Sequence, residues 1–166
     1  EAIRDSILRA SGKLNAKQYG PPFQFFEKET SPFSKKVPLT EFSAEGWRRM
    51  IYGEKLRLEN VGIFGAFDCP DSSQMTPRRT VSTSAIQALS LFNSHFVNRH
   101  SQFMADEAKS IHPDTAHDQI NVLFLRTLGR SPTALEMEAV LPLVKSRGLQ
   151  ALGRVLFNLN EFVFIN

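Results

Sequence analysis

The sequence predicts a mainly α-helical domain: a bundle of about five to six short helices behind an irregular, Pro/Phe-rich N-terminal arm, with at most a short β-strand or hairpin. Two observations predict this class. From about residue 83 onward apolar residues recur every three to four positions, the spacing of one helix face. Before that point, prolines and glycines interrupt every longer pattern. A length of 166 residues fits a single domain, divided into an N-terminal helix with arm and loop (1–82) and a helical bundle (83–166).

The first helix is predicted over residues 2–14, where Ile3, Ile7, Leu8 and Leu14 share one face, and it should end near Gly12. Residues 15–45 form the arm. Prolines exclude long regular elements there, while four phenylalanines stand among charged residues: Phe23, Phe25, Phe26 and Phe33. A flexible linker is the alternative, but a linker would not normally expose so many phenylalanines. We therefore expect an ordered arm that its aromatic residues hold in place.

Residues 47–52 are typical of a short strand, and residues 61–67 are apolar, but Gly62 and Gly65 weaken either assignment. Residues 68–82 form a polar loop.

Five helices follow. Thr83 or Ser84 is expected to cap the first, which carries Ile86, Leu89 and Phe92 on one face, and Ser94 to cap the second, which ends near Ile111. The third covers 116–128, with Gly129 in the left-handed position after it. The fourth covers about 133–146 behind a Thr133–Glu136 capping box, with Gly148 beyond its end, and the fifth about 149–159. The apolar tail 162–165 should pack on the bundle.

Composition excludes several classes of protein. The net charge is only +3, and its excess lies in the first half as three separate pairs, Lys35-Lys36, Arg48-Arg49 and Arg78-Arg79. Such a distribution argues against nucleic-acid binding. A single cysteine, Cys69, excludes an internal disulfide and a Cys-rich zinc site. No apolar run is long enough to predict a membrane span. The chain opens without Met or a signal-peptide pattern, so we expect a piece of a larger protein.

No catalytic residue and no metal site are predicted. The histidine pairs His95/His100 and His112/His117 lack the four-residue spacing that puts two imidazoles on one helix face, so ordinary surface histidines are expected. No serine-nucleophile motif, phosphate-binding loop or haem-attachment motif occurs, and Cys69 has no nearby base in sequence. An enzyme is therefore not favoured, although the sequence leaves this open.

One polar constellation stands out: Asp68, Asp71, Arg78 and Arg79 in the loop, with Arg48, Arg49 and Tyr52 upstream. These seven residues are candidates for binding a carbohydrate, a sulfate or another anion, because guanidinium groups suit oxyanions. The favoured interpretation is that the arginines and aspartates pair with each other and attach a long loop to the helical body.

The chain resembles the carboxyl-terminal domain of unknown function 1553 found in large planctomycete-type proteins that also carry a cytochrome-c-like domain. The matching stretches run from end to end: Glu1-Ala2-Ile3-Arg4-Asp5-Ser6-Ile7-Leu8, Tyr19-Gly20-Pro21, Arg48-Arg49-Met50-Ile51-Tyr52, Phe67-Asp68-Cys69-Pro70-Asp71, Gln87-Ala88-Leu89-Ser90-Leu91-Phe92-Asn93, Leu128-Gly129-Arg130-Ser131-Pro132-Thr133 and Phe157-Asn158-Leu159-Asn160-Glu161-Phe162. The final third is also similar to extracellular helical modules built around an LGR-x-P turn.

The resemblance implies an exported protein, periplasmic or at the cell surface, with haem possible elsewhere in the parent protein but no cofactor within this chain. It implies the preceding domains of the same protein as partners, polysaccharide as a further one, and a link to polysaccharide breakdown. The leading hypothesis is a non-catalytic helical module that packs against those domains. The alternative is a carbohydrate- or anion-binding or hydrolytic domain that uses the Asp68–Arg79 loop, and a third hypothesis is a docking site for an electron-transfer partner.

Overall fold

The computed structural model describes residues 1–27, 39, 42–54, 75, 77 and 85–164. Within these ranges the fold is mainly helical, as predicted. Its helices are α1 (Ala2–Ala10), α2 (Ala85–Asn93), α3 (His95–Ile111), α4 (Ala116–Leu128), α5 (Ala134–Phe157) and α6 (Asn160–Val163). Two short 3-10 turns, η1 (Ala44–Trp47) and η2 (Met50–Tyr52), lie between α1 and α2. The predicted boundary at 82/83, the apolar stretch 61–67 and the polar loop 68–82, apart from residues 75 and 77, lie outside the described residues.

The main core lies where α3, α4 and α5 pack against one another, with α1 and α6 closing its sides. Its central side chains are apolar and almost fully buried, and each contributes roughly 1.5–3 kcal/mol by leaving water. Helices α1, α3, α4 and α5 supply the most deeply buried of them: Ile7, Val97, Met104, Ile120, Leu123, Phe124, Leu152, Leu156 and Phe157. Helix α6 adds Phe162.

The helix boundaries in the second half follow local chemistry. Gly129 ends α4 in the left-handed conformation, with φ +72°. The capping box is present, since the Thr133 hydroxyl accepts from the Glu136 N–H at 3.2 Å and the Glu136 carboxylate accepts from the Thr133 N–H at 2.7 Å. Ser94 holds the N-cap position of α3, but its hydroxyl makes no capping hydrogen bond.

Helix α5 is interrupted at Gly148, whose φ of 79° and ψ of 171° are not helical. The two helical parts on either side correspond to the separate helices predicted for 133–146 and 149–159. Nothing lies within 4 Å of where a β-carbon would stand, so the break depends on backbone conformation and not on a close neighbour. The glycine bends the chain so that Leu149 and Leu152 enter the core.

A second, smaller hydrophobic cluster forms in the arm. Phe23, Phe25 and Phe26 are buried there, with Phe42, Met50 and Tyr52 packed against them. These contacts agree with an arm that its aromatic residues hold in place, but Phe33 and most of residues 28–41 lie outside the described ranges, so for the arm as a whole this stays a prediction. Gly53 is needed at this place, because a β-carbon would stand 2.6 Å from the Phe25 ring.

The strand predicted for residues 47–52 is wrong. The segment forms the end of η1 and then η2, and its β-type pairing is limited to single bridges, Asn15 with Arg48 and Phe23 with Gly53. The physical reason lies in tertiary contacts: the Met50 N–H donates to the Asp5 carboxylate at 2.9 Å, and this starts a tight turn where a ladder would need an extended chain.

Helix α2 and the C-terminal tail differ in how far their apolar side chains are buried. Helix α2 buries Leu91 and Gln87, while Leu89 and Phe92, which share the predicted apolar face, remain largely exposed. The tail packs on the bundle as expected, because Phe162 is buried with its ring centroid 5.1 Å from that of Phe157. Phe164 is half exposed, and Ile165 lies outside the described residues.

Among the helices that the structure describes, none combines the length and the apolar character that crossing a bilayer requires.

Candidate functional site

The structure places the seven predicted ligand residues unevenly. Arg48, Arg49 and Tyr52 lie on or beside the 3-10 turns, whereas Asp68, Asp71, Arg78 and Arg79 lie outside the described residues. Whether the seven come together therefore stays a prediction. Of the three described residues, Arg48 and Tyr52 contact each other, whereas Arg49 faces solvent.

Arg48 faces the interior and is only 1% exposed. Its guanidinium donates to three main-chain carbonyls of the arm: Lys17 at 3.3 Å, Tyr19 at 2.6 Å and Pro21 at 2.9 Å. The Tyr52 ring lies against it at 4.3 Å from the ring centroid, and a Glu45 oxygen stands 4.0 Å away. We call Arg48 with these three carbonyls the carbonyl clamp. Its donors are used to fold the chain segment 17–21 and are not directed at a solvent-facing ligand.

Arg49 is the predicted ligand residue that reaches solvent, with its side chain 65% exposed. Its Nε stands 3.4 Å from the Asp5 carboxylate of α1. The same carboxylate accepts the Met50 N–H. Asp5 therefore fixes η2 to the first helix, and Arg49 neutralises part of its charge at the surface.

Arg4 is a second buried arginine, which the sequence did not single out. Its guanidinium donates to the carbonyls of Arg48 at 2.8 Å and Gly46 at 2.6 Å and lies over the rings of Phe23 and Phe96. Burial lowers its pKa to about 10, an effect that the neighbouring Asp5 partly offsets. Arg4 therefore stays charged and supplies donors to a segment whose carbonyls lack a regular ladder.

His100 contradicts the expectation of four ordinary surface histidines. It is 1% exposed, and its Nδ1 lies 2.8 Å from the Ser11 hydroxyl of α1. Burial and, to a smaller extent, the nearby positive charges of Arg4, Arg99 and Lys13 together lower the pKa of His100 to about 3. The imidazole is therefore neutral at ordinary pH. Ser11 is fully buried too, so this serine–histidine contact joins α1 to α3 without being open to a substrate.

The remaining histidines agree better with the prediction. His95 and His117 are exposed and His112 is half-buried. Within the described ranges, three or more His, Cys, Asp or Glu side chains do not come together in a way that could hold a metal ion.

Arg130 organises the other end of the molecule. It forms paired hydrogen bonds with Glu136 (2.9 and 2.7 Å) and with Glu161 (both 2.8 Å). These contacts raise the pKa of Arg130, lower that of Glu136 to about 2 and lower that of Glu161. This Arg130 cluster (Arg130, Glu136, Glu161) ties the α4–α5 turn to α6. The LGR-x-P turn was its signal in the sequence, although the sequence alone did not identify the partners.

A further arginine pair connects α3 with α4. Arg126 donates to both Glu107 oxygens at 2.8 and 2.6 Å. Gly12, with φ +68°, passes so close that a β-carbon would stand 2.9 Å from a Glu107 oxygen. The end of α1 is thus fitted against this ion pair.

One cleft in the described part lies between α4 and α5, with a volume near 540 Å³. Its lining is mostly apolar and includes Pro132, Met137 and Leu141, with His117 and Glu138 beside them. Within the described residues, the Asn121 Oδ1 at this cleft is buried and accepts no hydrogen bond. None of the predicted ligand residues that are described lines it. Its mostly apolar lining favours an apolar group.

The described residues thus define a small helical domain. Arg4, Arg48, Arg126 and Arg130 hold its segments together through hydrogen bonds and ion pairs. The chain belongs to the PSD1 family, a protein of unknown function (DUF1553), whose family model matches residues 1–144. This confirms the resemblance to the domain of unknown function 1553, while the setting in planctomycete-type, cytochrome-c-associated proteins stays a prediction. No curated protein and no solved structure matches the chain.

Proposed function

We propose that this chain is a non-catalytic helical module that packs against the preceding domains of a larger, exported, cytochrome-c-associated protein of the periplasm or cell surface. Membership of a family of unknown function supports the coarse statement that this is a domain of unknown function. The finer statement is supported by the contacts of the buried polar groups and by the exposed apolar side chains.

The observation that carries the proposal is that the polar groups suited to chemistry are used within the fold. Arg48 and Arg4 donate to main-chain carbonyls, and Arg126 and Arg130 are bound by carboxylates. His100 is neutral and enclosed. A catalytic site needs reactive groups that reach a substrate. Arginines whose donors are all directed at groups of the same fold instead favour a structural role.

Exposed apolar side chains on the described part add to this support. Tyr19, Ile51, Leu89 and Leu135 are each more than half exposed. Single exposed apolar residues are normal. These four are spread over the arm, η2, α2 and α5, and they support a module with neighbouring domains without marking one contact surface.

Hydrogen exchange tests the proposal directly. Residues 1–166 are produced alone and also within the full-length parent, and the exchange of their amides is compared. We expect arm or bundle amides near the exposed apolar residues to exchange at least tenfold more slowly in the parent. If exchange is the same in both settings, the module does not pack on its own parent and the proposal is wrong.

The alternative function, carbohydrate or anion binding with or without hydrolysis through the Asp68–Arg79 loop, has one described residue in its favour. Arg49 is solvent-exposed and beside the arm. Arg78→Ala combined with Arg79→Ala tests it in the full-length parent, with binding of a sulfated and a neutral oligosaccharide as readouts. Lower stability with unchanged glycan binding would rule the alternative out.

A further inference from the structure

The cleft between α4 and α5 joins apolar walls to a few polar groups. Its volume, about 540 Å³, is within the range of sites that hold small organic molecules. Pro132, Met137 and Leu141 supply apolar lining, with Met137 buried and the other two half-buried. The polar groups at this cleft therefore decide which molecule fits.

Asn121 of α4 lines the cleft with a side-chain amide that the fold leaves unsatisfied. Its Oδ1 is buried and, in the part of the chain that the structure describes, accepts no hydrogen bond. A buried acceptor without a donor is unfavourable, so a ligand that supplies a donor satisfies a group that the fold does not. The last side-chain torsion of asparagine turns readily, and the oxygen loses no hydrogen bond by turning toward the cleft.

The formal charge of the lining is negative. Among the described residues that line the cleft, with histidine counted as neutral, the charge lies on Glu138, which is exposed on α5. Two charges stand farther along the same helices, Asp118 next to His117 and Lys145 one turn after Leu141, and they are of opposite sign.

The neighbouring α4–α5 turn does not offset this charge. One guanidinium in the Arg130 cluster binds two carboxylates, so the cluster itself carries a net negative charge. The start of α5 is the positive end of a helix, but the Glu136 carboxylate stands there and accepts the Thr133 N–H. A positively charged group is therefore attracted to the cleft and an anion is repelled.

We propose that the α4–α5 cleft binds a small organic cation, an apolar molecule that ends in a protonated amine. The apolar part lies against Met137 and Leu141. The ammonium group donates to the Asn121 oxygen and faces the Glu138 carboxylate, and its three N–H donors suit more than one acceptor. This binding role goes beyond the packing role proposed above and does not rest on it.

An NMR titration of residues 1–166 with 2-phenylethylamine tests the inference. The titration is done at pH 8, where histidine is neutral and the amine is charged. 2-Phenylethanol, with the same ring and no charge, and 3-phenylpropionate, an anion, are the comparison ligands. We expect the amine to shift amides of residues 117–121 and 131–141 and to bind at least about fivefold more tightly than either comparison ligand. Equal affinity for the amine and the alcohol, or shifts confined to other residues, overturns the inference.

Two variants and a control identify the groups responsible. Glu138→Gln keeps the shape of an exposed side chain and removes its charge, so the amine should bind no more tightly than the alcohol. Asn121→Leu removes the acceptor and should weaken binding of the amine about fivefold. Asp106→Asn is the control, because Asp106 is exposed on α3 and does not line the cleft, and it should leave the affinity unchanged.

The exposed position of Glu138 keeps the test decisive even if Asn121→Leu fails to fold, which near-ultraviolet circular dichroism reveals. The inference is overturned if Glu138→Gln retains the preference for the amine over the alcohol. It is also overturned if Asp106→Asn loses that preference to the same extent, because the preference then comes from the overall charge of the chain.

Discussion

Buried cations are the principal feature at the scale of single residues. Arg4 and Arg48 supply hydrogen-bond donors to an arm whose carbonyls have no regular secondary structure to bind them. The sequence pointed to Arg48 and Arg49 as a pair. Adjacent residues in an irregular chain face different sides, so one became a buried donor and the other a surface charge. Which of the two arginines is buried depends on how the arm folds, and the sequence of the pair does not show it.

Arg48→Met is expected to lower the free energy of unfolding by about 3 kcal/mol, because three main-chain carbonyls lose a charged donor that is itself almost fully buried. The measurement is urea denaturation followed by circular dichroism. The matched control is Arg49→Met, one position along the chain, which should change stability by no more than about 0.5 kcal/mol. Equal losses in the two variants would contradict the carbonyl clamp.

His100 should make stability depend on pH. Its pKa is about 3 in the fold and near 6.5 in the unfolded chain, so the unfolded state binds a proton between these values and the folded state does not. The contribution is fully present above pH 6.5 and is lost as the pH falls toward 3, by up to about 1.4 kcal/mol per pH unit. Unfolding free energies measured from pH 7 to 4.5 should fall less steeply for His100→Gln than for the wild type. His95→Gln, on the same helix but exposed, should keep the wild-type slope; a shared slope for all three proteins would refute the assignment.

At the scale of helices, the sequence was most informative where a boundary is set by local chemistry. The capping box at Thr133, the left-handed Gly129 and the end of α3 at Ile111 were all predicted, because each depends on residues within one turn. The 47–52 segment was mispredicted because Asp5, more than forty residues away, fixes its conformation. The burial of His100 escaped prediction for the same reason: its partner Ser11 follows the end of α1, nearly ninety residues earlier in the chain.

The break in α5 gives a prediction about backbone conformation alone. The φ and ψ of Gly148 fall in a region that only glycine occupies readily, whereas Gly129, with φ 72° and ψ 10°, is in the left-handed helical region that asparagine tolerates. Gly148→Asn should therefore cost about 1–3 kcal/mol, and Gly129→Asn less than about 1 kcal/mol. Thermal or urea unfolding of both variants checks this, and no steric clash complicates the comparison. A greater loss at Gly129 would show that the α5 break is not set by the backbone of Gly148.

For the whole molecule, the family match and the folding unit end at different places. The family model stops at residue 144, but Leu149, Leu152, Leu156 and Phe157 are core residues, and Glu161 completes the Arg130 cluster. The general class of the fold could be read from apolar spacing. Whether the seven candidate residues form one site stays a prediction, because Asp68, Asp71, Arg78 and Arg79 lie outside the described ranges. Of the other three, the sequence could not show that Arg48 is buried against the Tyr52 ring while Arg49 reaches solvent, because this depends on how the arm folds.

A chain cut after residue 144 should fail to form a cooperative fold, since the three-helix core loses the second half of α5. A chain ending at residue 164 should unfold in one sharp transition. Near-ultraviolet circular dichroism and urea titration distinguish the two, with Glu161→Gln in the longer chain as a control that removes one charge and keeps every core side chain. A sharp transition in the shorter chain would mean that residues 149–163 are an appendage.

The packing of α1 against distant parts of the chain affects the rate of folding. Ile7 and Ala10 belong to the same core as residues that follow them by more than a hundred positions, and Arg126 reaches the Ala10 carbonyl at 3.5 Å. During synthesis α1 precedes α3 and α4 and has no core to join until both have emerged from the ribosome. Contacts this distant along the chain slow folding, because a long loop must close before they form. Helix α1 is therefore among the last of the described helices to reach its final position, and its apolar face stays exposed until α3 and α4 have formed.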